Sequence, residues 1–440
     1  MSLSSSQARQ LWIPVGLAVA VMLPALALRI AGWRPNPVLD IGVFGAAILA
    51  AGFLLSWGAE AAEKYLSQGL ILAAVALVTV LPEYAVDIYY AFQAGRSPSE
   101  GYVAFAAANM TGANRLLIGL AWPAMVLLHW WKNRQRGIEL APVNAIEIVV
   151  LALSSAYAFV IILKNTISAW DAVVLVGLFG LYLWRVSKLP KAQDEDEGEE
   201  PGPGAVIAKL SNTTRWTVMI AMTVVAAGVI LVVAEPFAES MIDGGRALGI
   251  DQFLLIQWLA PIASEAPAVV IAVLFVLAGR AAAGLVAMIS DKINQWTLLV
   301  GMLPLAMSLG AGQLRALPLD ARQHEEFFLT AAQSLFGLAL LLRLRLSVIG
   351  AIALLGLFVA QLMIALSLRQ DEARDIAALT AVAWGYLVLA GLLFALNWRA
   401  IAGLLSTAFS LTANLETVAD PHLARPTPSP ERARDDAQEH

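Results

Sequence analysis

The chain has 440 residues, of which 59% are hydrophobic and 14% are charged, and its formal net charge is −5. Soluble globular proteins carry about 25% charged residues, so this composition excludes that class and predicts a protein embedded in a lipid bilayer. The absence of cysteine excludes disulfides, thiolate metal sites and cysteine nucleophiles.

Apolar stretches long enough to cross a membrane as helices follow one another along the chain. Since a span needs roughly 20 apolar residues, the pattern predicts about twelve of them. They lie at 11–31, 38–57, 68–94, 101–130, 143–163, 168–187, 215–236, 251–278, 282–311, 325–345, 346–367 and 376–397. The first span is predicted to remain as an N-terminal anchor within residues 1–37, because it is too long for a secretory signal.

Two segments have a different composition. Residues 188–214 are acidic at first and rich in proline and glycine, and are predicted to form a flexible cytoplasmic loop. Residues 418–440 are predicted to be a disordered tail, and residues 368–417 to hold one or more extra helices. Lysine and arginine are more frequent in loops on the N-terminal side of the membrane, which predicts that both termini face the cytoplasm of a cell (inner) membrane.

An internal repeat organises the spans. A shift of about 179 residues aligns 147–183 with 326–362, including the run from Leu175 to Phe179 with that from Leu354 to Phe358. The repeats are predicted at 38–187 and 215–367. Five spans in each would give them opposite orientations. The predicted fold is therefore an all-α polytopic membrane protein with a five-plus-five inverted-repeat core and broken helices at an ion site.

Carboxylates deep in the spans are the first candidates for function, because charge at membrane depth is costly. Glu83 and Asp87 lie one helical turn apart, after Pro82 and the hydroxyl of Thr79. Pro82 is predicted to break this helix and free carbonyl oxygens for an ion. An interfacial structural role is the alternative for Asp87.

The second repeat contains a similar segment. Pro261 and Pro267 bracket Ser264 and Glu265, and are predicted to interrupt the helix on both sides of that carboxylate. Glu83 and Glu265 occupy matching places in the two repeats. Both are therefore predicted to be the central ligands of a transported metal cation.

The next span of each repeat adds neutral oxygens and charged groups. The candidate ligands there are Asn109, Asn114, Ser290, Asp291 and Asn294. Carboxylate, amide and hydroxyl oxygens suit calcium, sodium and protons rather than zinc or copper. Hydrogen bonding between helices is the alternative role for Asn109.

Two cationic residues, Arg115 and Lys292, lie in these same spans. They are predicted to act as counter-charges to the carboxylates, with snorkelling towards the lipid surface as the alternative.

These segments, about 66–130 and 250–311, resemble the two alpha repeats of the cation/calcium antiporter superfamily, which includes sodium/calcium and cation/proton exchangers. The residues that carry the resemblance are Thr79, Pro82, Glu83, Asn109, Gly112, Asn114, Pro267, Ser290, Asp291 and Asn294. The chain departs from the family pattern at Ala268, where members have a glutamate. Glu265 lies about one turn earlier and is expected to substitute for it.

The resemblance implies secondary-active antiport of calcium or a similar cation against sodium or protons by alternating access. The alternative is a sodium/proton or other monovalent cation/proton antiporter. An intramembrane enzyme or a channel is disfavoured, and the chain lacks a phosphate-binding loop. The expected partners are inorganic cations and lipid, with no nucleic acid, nucleotide or resident cofactor. The oligomeric state is left open.

Overall fold

The computed structural model describes residues 4–63, 80–98, 101–188 and 202–418, and the side chains up to residue 408 except that of Glu63. Thr79, the first part of the predicted span 68–94, residues 189–201 of the predicted acidic loop and nearly all of the predicted tail lie outside the described residues. Within them the chain is almost entirely helical, with two small sheets.

The helices in chain order are α1 (Ser5–Ala31), α2 (Pro37–Glu63), α3 (Leu81–Arg96), α4 (Tyr102–Leu116), α5 (Trp122–Asn133), α6 (Ala145–Lys164), α7 (Ala169–Val186), α8 (Pro203–Ala208), α9 (Asn212–Leu248), α10 (Gln252–Leu277), α11 (Ala281–Asn294), α12 (Val300–Ala311), α13 (Ala321–Leu341), α14 (Val348–Leu368), α15 (Glu372–Leu396) and α16 (Trp398–Val418). Short π-helical segments join α4 to α5 and α11 to α12, at Leu117–Ala121 and Gln295–Leu299. A 3-10 turn, Pro142–Asn144, precedes α6.

Nine helical stretches of the described chain are long and apolar enough to cross a membrane. They are Ser5–Ala31, Pro37–Ala62, Tyr102–Asn133, Pro142–Lys164, Ala169–Val186, Asn212–Leu248, Gln252–Leu277, Val348–Leu368 and Glu372–Leu396. All nine coincide with predicted spans. The other three predicted spans correspond to α3, to the α11–α12 segment and to α13, which contains many buried polar side chains. The total of twelve stays a prediction.

Within the described residues, each half of the chain has a π-helical segment between two helices, then a strand, a long helix and a second strand, and the two series are joined by pairing of their strands. Strand β1 (Gly137–Glu139) pairs antiparallel with β4 (Arg345–Ser347), and β2 (Thr166–Ile167) pairs antiparallel with β3 (Leu317–Pro318). Each sheet therefore takes one strand from each series, the earlier strand of one with the later strand of the other. The bounds of the two repeats and their opposite orientation in a membrane stay predictions.

Helix α9 is longer than the predicted span 215–236. It continues through Pro236 and ends before Gly249, whose φ of 65° is left-handed. Two arginines from α1 and the turn after it contact α9 at this point. Arg29 forms an ion pair with Glu235 at 2.5 Å, and Arg34 donates to the Pro236 carbonyl at 2.8 Å.

The prediction of a flexible loop over the whole segment 188–214 is wrong for its last part. Its last part forms the buried helix α8, followed by the first turn of α9. The apolar side chains of Val206 and Ile207 explain this, because they are buried in the core. Gly204 allows close contact with Glu60 of α2, since a Cβ at Gly204 would overlap that side chain.

The predicted interruptions at Pro261 and Pro267 are wrong, because α10 is continuous from Gln252 to Leu277. A proline inside a helix removes one hydrogen-bond donor without necessarily ending the helix. The carbonyls of Gln257 and Ala263, four residues earlier, lose their helical donors. Pro82 leaves no carbonyl of α3 without a donor, because it lies in the first turn of that helix, where backbone N–H groups have no helical partner.

Helices α3 and α12 cross at glycines. A Cβ on Gly310 would overlap the carbonyl of Phe92, and one on Gly95 would overlap the carbonyl of Met307. The two backbones are therefore in direct contact. This contact fixes the far end of α3 relative to the second half of the chain.

We expect Gly310→Val to lower the thermal aggregation midpoint of the purified protein in detergent, because its side chain must displace the backbone of α3. Overpacking of this kind costs about 1–3 kcal/mol. Gly228→Val is the matched control, since a Cβ at Gly228 meets no atom within 4 Å. Equal midpoints for the two variants would contradict the close crossing.

Candidate functional site

Two buried carboxyl groups, one from each half of the chain, face each other. The side chains of Glu83 on α3 and Glu265 on α10 lie within hydrogen-bonding distance of each other. Their residues are only 3% and 7% exposed. Within the described chain, Glu83 Oε1 is buried without a hydrogen-bond partner. The predicted pair of central ligands is therefore brought together in the structure.

Helix α2 explains why these carboxyl groups meet. A Cβ at Gly52 would lie 2.7 Å from Pro267 Cγ and 3.7 Å from Pro82 Cγ. The missing side chain lets the proline-containing turns of α3 and α10 pack against the same point of α2. Pro82 is next to Glu83, and Pro267 is two residues from Glu265. The packing of both prolines at Gly52 therefore sets the distance between the two glutamates.

Asp87 extends the acidic surface by one turn of α3. It is fully buried, which is inconsistent with the interfacial alternative. Its Oδ1 accepts a hydrogen bond of 2.9 Å from Asn109 Nδ2, and its Oδ2 has no partner in the described part of the chain. Asn109 thus combines the two predicted roles, since it joins two helices and lies at the acidic site.

Residues at the end of α11 contact both glutamate-bearing helices. Tyr84, next to Glu83, donates its hydroxyl hydrogen to Asn294 Oδ1 at 2.7 Å. Gln295, the first residue of a π-helical segment, donates to Glu265 Oε1. The sequence analysis did not identify Tyr84 or Gln295. Their position directly beside predicted ligands was the available signal.

The remaining predicted oxygens are more peripheral. Ser264 donates to the Ala260 carbonyl of its own helix at 3.2 Å, and Ser290 bonds to the hydroxyl of Tyr182 at 2.9 Å. Asp291 is half-buried and interacts electrostatically with both Glu83 and Glu265. Asp291 therefore adds negative charge near the pair, whereas the two serines are engaged elsewhere.

The two predicted counter-charges are used differently. Arg115 forms a buried ion pair with Glu326 of α13, so it does not pair with the predicted ion-site carboxylates. Its guanidinium also lies 5.1 Å from the ring centre of Trp258. Lys292 instead lies among the site amides and donates to Asn114 Oδ1 at 2.6 Å. Both cations are buried, which is inconsistent with snorkelling.

The site offers oxygen ligands of mixed charge. Glu83, Glu265 and Asp87 supply carboxylate oxygens, and Asn109 and Asn294 supply amide oxygens. Among the described residues, no three Asp, Glu, His or Cys side chains are already grouped as a metal site. A Ca²⁺ ion takes about six to eight oxygens, so it would need amide, main-chain or water oxygens beside the facing carboxylates.

Comparison with known proteins identifies the family of the chain. The family model described as sodium/calcium exchanger protein matches residues 37–188 and 218–367. The crystal structure of the H⁺/Ca²⁺ exchanger CAX is 37% identical, with a TM-score of 0.84, and the match covers 93% of this chain and 99% of that one. A search of curated proteins gave no match.

Two more distant structures share the fold. The sodium-calcium exchanger NCX_Mj is 17% identical with a TM-score of 0.50, and the match covers 74% of this chain and 99% of that one. The structure of native YfkE is 15% identical with a TM-score of 0.54, over 86% of this chain and 100% of that one. At these identities the likeness concerns the fold alone.

We expect Arg115→Met to destabilise the protein strongly, because it leaves the carboxylate of Glu326 buried without its cation. Breaking a buried pair in this way typically costs about 3–5 kcal/mol. The double variant Arg115→Met/Glu326→Gln should recover most of the thermal midpoint in detergent. A stable single variant that has lost ion exchange would place the Arg115 charge at the ion site instead.

Proposed function

The chain belongs to the sodium/calcium exchanger protein family, and from this we propose that it exchanges Ca²⁺ for protons at the facing pair Glu83 and Glu265. Members of this family are membrane transporters, so the chain is not an enzyme. Cation and Ca²⁺ antiport follow from the family. The choice of protons, and of this pair as the shared site, is our proposal.

The observation that carries the proposal is the contact between the two glutamate carboxyl groups. Two ionised carboxylates at this distance repel each other, and burial removes the water that would screen them. The pair is stable only when a cation bridges it or when protons neutralise it. Asp87 and Asp291 increase the same repulsion.

Because the pair needs either a bridging cation or protons, the Ca²⁺-bound state and the protonated state exclude each other. A Ca²⁺ ion bridging the carboxylates displaces their protons, and protonation removes the charge that holds Ca²⁺. When Ca²⁺ and protons compete for one site that opens to each side of a membrane in turn, the result is exchange of one for the other. Gln295 donates a hydrogen bond to Glu265 and Asn109 donates one to Asp87, and an entering ion would replace these bonds.

Protons are favoured over sodium as the coupling ion by two features. The exchanger that is similar over 93% of this chain is named as an H⁺/Ca²⁺ exchanger, whereas the named sodium-calcium exchanger is only 17% identical. The second feature is the facing pair itself. A pair of carboxyl groups in direct contact holds a proton between them without needing further ligands.

The surrounding membrane and topology are also part of the proposal. We infer a cell membrane with both termini on the cytoplasmic side, because lysine and arginine are more frequent in the loops assigned to that side. Segments 38–187 and 215–367 would be the two exchanger repeats. The reciprocal strand pairs β1–β4 and β2–β3 support a two-fold relation between them.

The first test removes the charge of one glutamate at a time. Glu83→Gln and Glu265→Gln should each abolish Ca²⁺ uptake into proteoliposomes, because the remaining carboxylate has no partner with which to bridge Ca²⁺ and carries only one proton. Glu235→Gln is the control, since Glu235 is a carboxylate in a predicted span but is partly exposed and paired with Arg29. Normal uptake by both site variants would refute the assignment.

The second test concerns the driving ion. Proteoliposomes with an acidic interior should accumulate Ca²⁺ as protons leave, and uptake should stop when an ionophore collapses the pH gradient. An outward sodium gradient at equal pH should drive no uptake. Uptake driven by sodium alone would replace the proton proposal by sodium coupling. Sodium/proton exchange without Ca²⁺ flux would favour the monovalent antiporter.

A further inference from the structure

We propose that a cavity with Arg136, Arg343 and Arg345 at its rim binds the phosphate headgroup of an anionic phospholipid. The residues that line this cavity are different from those of the exchanger site. The inference therefore goes beyond the proposed function and does not depend on it.

The cavity lies where several helices reach the surface of the bilayer. Its volume is about 790 Å³, and it is bounded by the ends of α5, α13 and α15 and by the start of α14. Pockets for small ligands measure about 300–1,000 Å³. The stretch Tyr102–Asn133, which ends with α5, and the helices α14 and α15 are long and apolar enough to cross a membrane. Because the ends of such helices lie at the level of the lipid headgroups, the cavity faces that layer.

Pairing of β1 with β4 brings the three arginines together from the two halves of the chain. Arg136 directly precedes Gly137, which pairs with Ser347. A Cβ at Gly137 would lie 3.0 Å from Arg345 Nε, so the glycine leaves room for this guanidinium group. Arg343 lies two residues before Arg345 and lines the same cavity. A ligand held by all three arginines would therefore contact both halves of the chain.

The protein itself offsets little of this positive charge. Arg345 lies 3.7 Å from Glu139 Oε1, and the two side chains are 46% and 77% exposed, so water weakens this contact. For Arg136 and Arg343, the described part of the chain supplies neither an ion pair nor a side-chain hydrogen bond. Three guanidinium groups around one cavity repel one another. An anion bound between them would remove this repulsion.

The chemistry of the rim favours phosphate among anions. A guanidinium group is planar and donates two parallel hydrogen bonds to phosphate oxygens. The first residues of α14, Val348 and Ile349, also line the cavity together with Ser347. The start of a helix carries partial positive charge, which adds to the attraction for an anion.

The remaining lining favours a lipid over a free phosphate ion. Leu340, Leu393 and Leu396 form an apolar wall next to the arginines, and Trp130 lies at its edge. Leu396 is 77% exposed and Ile349 is 82% exposed, so both offer apolar surface outside the protein core. A phospholipid would cover this surface with its acyl chains while its phosphate meets the arginines. Tryptophan and basic pockets between helix ends are both typical of the headgroup layer.

The experiment measures lipid binding to the purified full-length protein in detergent. The thermal midpoint is titrated with dioleoylphosphatidylglycerol and, separately, with dioleoylphosphatidylcholine, whose headgroup has no net charge. We expect only the anionic lipid to raise the midpoint of the wild type. In Arg136→Gln/Arg343→Gln the apparent Kd for phosphatidylglycerol should rise at least about tenfold, because the phosphate loses two charged donors.

The matched control is Arg9→Gln/Lys188→Gln. It also removes two exposed cations from the side of the membrane predicted to be cytoplasmic, but neither residue lines the cavity. We expect its Kd for phosphatidylglycerol to equal that of the wild type. An equal loss of affinity in both double variants would indicate general attraction to a positive surface and would overturn the inference.

Three further results would also overturn it. They are equal shifts with the two lipids, unchanged phosphatidylglycerol affinity in Arg136→Gln/Arg343→Gln, and an equal shift with sodium phosphate at the same concentration, which would assign the site to a free anion. If that double variant fails to fold, Arg343→Gln and the wild-type titrations decide by the same criteria. The measurement involves no transport, so failure of the glutamate variants to lose Ca²⁺ exchange would refute the proposed function alone.

Discussion

The low dielectric of the protein interior is the constraint on which this structure depends. A charge placed there must find an opposite charge or several hydrogen bonds, because water no longer supplies them. Arg115 meets this requirement with Glu326, and Asp171 meets it with Lys164 at 2.6 Å. Glu83 and Glu265 do not, because each faces another acid. This difference separates the structural charges from the pair proposed to carry the ion.

Close backbone contacts place this pair. Gly52 lies against Pro267 and near Pro82, and a Cβ at Gly112 would overlap the carbonyl of Gln257. Pro261 leaves that same carbonyl without its helical donor. Glycine on one helix and proline on its neighbour thus act together. The glycine permits approach, and the proline changes the hydrogen-bonding capacity of the backbone that is approached.

Hydropathy and charge in the sequence predicted many of the spans and the buried charged residues, but not which side chains these residues contact. Nine of the spans followed from apolar length, and the cost of buried charge singled out Glu83 and Glu265, which the structure buries side by side. The partner of Arg115 did not follow in this way, because Glu326 lies on a helix far along the sequence and only packing brings them together. The helix through Pro261 was also mispredicted, since surrounding helices decide whether a proline interrupts a buried segment. Helix α8 was missed because its short apolar run follows an acidic one.

The π-helical segments connect the site to the rest of the fold. They occur at matching places, Leu117–Ala121 directly after Arg115 and Leu116, and Gln295–Leu299 directly after Asn294. A π-helical turn holds an extra residue, so side chains beyond it point in a different direction from those of a regular helix. Residues before and at the start of each segment, such as Asn114 and Gln295, contact the site. Residues within and after each segment pack on other helices, as Gly119 does on Phe358 and Gly301 on Val176. The change of direction lets one continuous span serve both the polar site and the apolar core.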